Sequence, residues 1–111
     1  MQLSCSKGEK YRINPKMEFT DAGMILINND NFDYYNVSII IDGKYYAYCG
    51  YLPSKMRKGF SYYEVDTTIN YEKVKNARYN ISLQNYEKNQ ILFTNELNQE
   101  VVNNKIVSRK S

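Results

Sequence analysis

At 111 residues and a net charge of +3, with 42% hydrophobic residues, the chain is one domain's worth of sequence, long enough to bury a core. Its 15 Lys and Arg are scattered among 12 Asp and Glu, which argues against the basic stripe a nucleic-acid binder needs. There is no histidine, hence neither the commonest general base nor the commonest metal ligand, and two cysteines alone cannot build a zinc site.

Residues 1–10 read as a tether. Leu3-Ser4-Cys5-Ser6, followed by Lys-Gly-Glu-Lys, is similar to the end of a bacterial lipoprotein signal. There a small residue precedes the cysteine that takes the lipid, and a polar linker follows. Leu3 sits one place nearer the cysteine than the usual motif puts it, and a chance Leu-Ser-Cys in a frayed terminus is the competing reading. The resemblance makes Cys5 a lipid-anchor candidate, with a membrane as its partner. No run is long enough for a transmembrane helix.

Residues 11–95 read as the folded domain. Tyr11 to Phe19 holds a first strand interrupted at Asn14-Pro15, and a proline confines it to an edge or a lead-in. After the turn at Thr20 to Gly23, Met24-Ile25-Leu26-Ile27 is apolar on both faces, as in a central strand. Asn28-Asn29-Asp30-Asn31 breaks it, because these side chains bond their own backbone. Phe32 is expected to plug one end of the core.

From Val37 the chain alternates, which puts Val37, Ile39 and Ile41 on the core face. Asp42-Gly43 then predicts a two-residue hairpin, since both positions accept positive φ. In that register Ile41 lies opposite Lys44, Ile39 opposite Tyr46 and Val37 opposite Tyr48. Tyr46 and Tyr48 then point inward, and Tyr45, Ala47 and Cys49 share the Ile40 face. A one-residue bulge would exchange the two tyrosine sets.

Gly50 to Gly59 reads as a connection and Phe60 to Val65 as a fourth strand. Thr67 to Lys75 reads as either a helical turn or a loop. Arg78 to Leu83 alternates with Tyr79, Ile81 and Leu83 on one face, and Gln90 to Thr94 closes a last hairpin. Residues 96–111 read as a polar tail or an extra edge strand, with a basic cluster at Lys105, Arg109 and Lys110. Short strands, regular turn signals and no long helical period predict an all-β, immunoglobulin-like antiparallel sandwich of about seven strands.

The stretch Ile25 to Val37 and its continuation Ile39, Ile41-Asp42-Gly43-Lys44-Tyr45-Tyr46 resembles a small, uncharacterised bacterial β-sandwich family of envelope and secreted proteins. Its pattern is roughly I-x-I-x-N-x-D-x-F-D-W-x-N-V-x-V-x-I-N-G-x-Y. Tyr34 stands at the aromatic after Phe32-Asp33, and Asn80-Ile81-Ser82-Leu83 at the closing strand. The likeness covers about residues 20–85 and implies the fold rather than an activity. Tyr71 to Ala77 replaces the glycine-rich loop of that pattern.

Twelve tyrosines against four phenylalanines and no tryptophan suit strands, and they also suit the codon usage of an A/T-rich genome. Tyr34, Tyr35, Tyr45, Tyr51, Tyr62 and Tyr63 are candidates for a glycan- or peptide-binding surface, because tyrosine joins a flat apolar face to a hydroxyl. The competing reading is that they cover a half-buried sheet. Asp30, Asp33 and Asp42 lack the spacing of a calcium loop and read as turn residues. Cys49 reads as an inert thiol, with a Cys5–Cys49 disulfide as the alternative in an oxidising compartment. Asn36-Val37-Ser38 and Asn80-Ile81-Ser82 fit the glycosylation pattern but lie in strands. Glu18, Glu64, Glu72 and Glu87 show no pairing that would serve acid–base chemistry.

These observations predict a non-enzymatic module of a bacterial envelope lipoprotein, structural or interactive, with no cofactor and no nucleic-acid partner. One alternative is a secreted module that binds glycan or peptide on a tyrosine face. A second is an accessory subunit that pairs through a sheet edge.

Overall fold

The computed structural model describes residues 13–95, together with the backbone of 99–102 and 105–108. The Cys5 tether lies outside the described residues. Seven strands form the sandwich: β1 (Pro15–Phe19), β2 (Gly23–Asn28), β3 (Tyr34–Ile41), β4 (Tyr45–Leu52), β5 (Arg57–Ser61), β6 (Tyr79–Gln84) and β7 (Gln90–Thr94). Two further strands follow, β8 (Gln99–Val102) and β9 (Lys105–Ser108). One sheet runs β1-β2-β5 and the other β4-β3-β6-β7-β8-β9. Every pairing is antiparallel. This is an all-β, immunoglobulin-like sandwich.

Period-2 alternation builds the core. Met17, Met24, Leu26 and Phe60 point inward from the smaller sheet; Val37, Ile39, Ile41, Ile81, Leu83, Ile91 and Phe93 meet them from the larger. Each such side chain contributes about 1.5–3 kcal/mol on burial. Pro15 opens the edge strand β1, where its missing N–H costs nothing. Ile25 and Ile27 are half-buried on the outer side of the central strand β2. Phe32 is partly buried against the core and tilts against Tyr34.

Two expectations are corrected. The stretch from Gly50 to Gly59 is not one connection, because β4 runs to Leu52 and β5 starts at Arg57. The second half of the expected fourth strand is a helical turn, α1 (Tyr62–Val65). Ser61 and Glu64 form a capping box: the Ser61 hydroxyl accepts from Glu64 N–H, and the Glu64 carboxylate accepts from Ser61 N–H. These bonds satisfy backbone donors that a strand ending here would leave unpaired, so they outweigh the β preference of Tyr62 and Tyr63. A second turn of helix, α2 (Tyr71–Val74), is capped by the Asn70 side chain on Lys73 N–H and seals Val74 into the core.

The β3–β4 register is also corrected. Asp42 and Gly43 both take positive φ, and Lys44 N–H donates to the Ile41 carbonyl, as a tight turn requires. Yet Ile41 pairs with Tyr45, Ile40 with Tyr46, Ile39 with Ala47 and Ser38 with Tyr48. The loop holds three residues. A two-residue loop would set the Lys44 ammonium opposite Ile41 on the core face, where an unpaired charge is costly. Taking Lys44 into the loop avoids this and inverts every side chain of β4.

Candidate functional site

The inversion decides which tyrosines meet solvent. Tyr45 and Ala47 turn inward beside Ile41 and Ile39, and Tyr46 and Tyr48 turn outward beside Ile40 and Ser38. Further along β4 the pairing slips at Cys49-Gly50, and opposite it at Asn36. Asn36 and Gly50 both carry positive φ, at 52° and 80°. A Cβ on Gly50 would lie 3.3 Å from the Tyr48 ring, so glycine serves both the backbone and the ring that covers it. Beyond the slip, Leu52 points in and Tyr51 points out.

The outer face of β4 therefore carries Tyr46, Tyr48 and Tyr51, each more than half exposed at 55%, 58% and 56%. Tyr35, from β3, is half-buried and stacks on Tyr51 with ring centroids 5.4 Å apart.

Of the tyrosines the sequence pointed to, Tyr35 and Tyr51 belong to this face. Tyr34, Tyr45 and Tyr62 do not; they are core residues at 0%, 8% and 6% exposure. Tyr34 follows Asp33 on the inward side of β3, and its hydroxyl donates to Asp30. The Tyr62 hydroxyl donates to the Thr20 carbonyl, and burial is the main cause that pushes this phenol up. Tyr63 is exposed but stands on α1, apart from the ladder on β4. Tyr46 and Tyr48 were missed because the two-residue register put them inside. The available signal was Lys44, whose charge is incompatible with the core position that register assigns it.

The two ends of the tyrosine face differ. At the Tyr51 end, polar groups satisfy one another. Buried Asn28 donates to the Phe32 and Leu52 carbonyls, at 2.9 and 3.0 Å, and accepts from Asp30 N–H. Asp30 accepts from Asn14 N–H, and its carbonyl accepts from the Ser54 hydroxyl. Asp33 accepts from Ser54 N–H at 2.8 Å and from the Tyr51 hydroxyl at 2.9 Å. The Ser54 bond, then the Tyr51 bond, holds the Asp33 carboxyl below its ordinary range, and the same contact with Asp33 pushes the Tyr51 phenol up.

At the Tyr46 end is a cleft of about 530 Å³ between the β3–β4 turn and the start of β6. Ile40, Asp42, Asn76, Ala77, Arg78 and Asn80 line it. Asp42 N–H donates to the Arg78 carbonyl at 2.7 Å, which pins the turn to the approach to β6.

The three aspartates do not gather as a calcium site would need; Asp30 and Asp33 serve turns at one end and Asp42 lies at the other. Among the described residues there is no group of three or more His, Cys, Asp or Glu side chains placed to hold a metal. Cys49 is a half-buried free thiol at the bulge, pushed up by burial, with Lys58 opposing that shift. Comparison with protein-family models, curated protein sequences and solved structures finds no match for this chain.

Proposed function

We propose that the chain is a non-enzymatic binding module that presents the outer face of β4 to a glycan or peptide. The observation that carries this reading is the alignment of Tyr46, Tyr48 and Tyr51 on one sheet face, with Tyr35 stacked behind. Single exposed apolar side chains need no explanation, whereas several exposed aromatic side chains on the same face of one strand suit contact with a partner. Tyrosine suits that task because its ring buries a large area at little entropic cost and its hydroxyl keeps the free face wet. Two of the rings are positioned by neighbours: the Tyr51 hydroxyl donates to Asp33, and Tyr48 lies over Gly50.

Display from a bacterial envelope by a lipid on Cys5 is part of this reading. It is supported by Leu3-Ser4-Cys5-Ser6 and by the resemblance that residues 20–85 carry. Mass spectrometry of the full-length protein expressed in a bacterial host tests the anchor, and an unmodified Cys5 overturns it.

The binding face is tested by screening the protein against a glycan array and a random peptide library, beside a variant carrying Tyr46→Ser, Tyr48→Ser and Tyr51→Ser. These rings are outside the core, so the variant is expected to fold. Binders lost in the variant support the reading. Binders that survive it, or none for the parent protein, overturn it.

A further inference from the structure

We infer that the cleft at the Tyr46 end of the face is a subsite for a neutral saccharide ring. This rests on the binding-face reading and names its ligand class. The volume, about 530 Å³, lies within the range of small-molecule sites, roughly 300–1,000 Å³. Among the described residues, no hydrogen bond or ion pair engages the side chains of Asp42, Asn76 or Asn80. They contribute one carboxylate acceptor and two amides, each with donors and an acceptor. A pyranose presents neighbouring hydroxyls that both give and accept hydrogen bonds, and a mixed set of this kind matches them.

The apolar component is also present. Ile40 and Ala77 line the cleft, and Tyr46 lies directly across the ladder from Ile40 on the same face. Cross-strand neighbours bring their Cβ atoms within about 5 Å, so Tyr46, although not itself a lining residue, adjoins Ile40 on the exposed side and offers a ring to a ligand that reaches beyond the cleft. The lining carries one formal negative charge, Asp42, and one positive, Arg78. This balance favours a neutral ligand over an anion or a cation.

The walls are held in place before any ligand arrives. The Asn95 side chain donates to the Ala77 carbonyl and accepts from Tyr79 N–H, which clamps the approach to β6. Such preorganisation lowers the cost of binding. A peptide adding itself as a strand does not fit here, because β3 and β6 are interior strands paired on both sides.

Titration of isotope-labelled protein, followed by amide NMR, tests the assignment with glucose, galactose, mannose and N-acetylglucosamine and their disaccharides as probes. The expected result is saturable shifts at Asp42, Gly43, Tyr46, Ala77 and Asn80 with at least one probe. Asn76→Ala and Asn80→Ala should each weaken that binding about tenfold while the rest of the spectrum stays native. The subsite is overturned if no probe gives saturable shifts at these amides, or if neither substitution weakens them. Saturable shifts confined to Tyr48 and Tyr51 overturn the subsite but leave the binding face standing. Cleft binding that is undiminished in a variant carrying Tyr48→Ser and Tyr51→Ser upholds the subsite and removes the wider face.

Discussion

The tyrosine face is bounded by two polar regions that use the same residue types differently. At the Tyr51 end, Asn28, Asp30, Asp33 and Ser54 find partners in one another, in the backbone and in Tyr34 and Tyr51. At the Tyr46 end, Asp42, Asn76 and Asn80 converge on a cleft and engage none of the described residues with their side chains. Asn and Asp punctuate turns in both places, so composition does not separate them. Satisfaction does. A completed network is part of the scaffold, whereas convergent unpartnered groups in a concavity are available to a ligand.

That contrast breaks most visibly at Asn28. Asn28→Ala removes the donor from two carbonyls at the buried end of β2, and the expected loss is about 3 kcal/mol of unfolding free energy, read from urea denaturation. The matching changes at the other end, Asn76→Ala and Asn80→Ala, should each stay within about 0.5 kcal/mol. Equal costs at the two ends would erase the distinction.

Gly50→Ala probes the joint between the regions. Alanine at a φ of 80° is strained, and its Cβ crowds the Tyr48 ring. A loss of about 1–2 kcal/mol is expected, with shifted Tyr48 ring resonances and an undisturbed Asp42 turn. Normal stability would show that β4 takes another path past the bulge.

The subtlest test is acid. Asp33 is held below its ordinary range, so over that interval the unfolded chain binds more protons than the folded one. Its contribution is therefore complete above the unfolded pKa, the ordinary value of an aspartate, and is lost as pH falls through the lower folded pKa. Asp33→Asn should flatten this part of the stability-against-pH curve.

Much of the architecture was legible in residue order. Pro15 marked an edge strand, Met24 to Ile27 a central one and Asp42-Gly43 a turn, because each expresses a local constraint on φ, hydrogen bonding or side-chain alternation. The capping box at Ser61 and Glu64 was also written locally, but was overridden in reading by the β preference of its tyrosines. The site was less legible. Tyr35 and Tyr51 were found; Tyr34, Tyr45 and Tyr62 were not separable from them by residue type, and Tyr46 and Tyr48 were placed on the wrong side.

The sequence by itself determined that this chain forms a tyrosine-rich sandwich around a β3–β4 hairpin. Only the tertiary structure decided which tyrosines face outward. A strand repeats every two residues, so one extra residue in a loop exchanges its faces, and β4 has tyrosine in both sets. The choice was made across the sheet, where Ile39 and Ile41 accept Ala47 and Tyr45 and exclude the Lys44 charge. The cleft has the same origin: Asp42 and Asn80 are far apart in the chain and meet only because β3 pairs with β6.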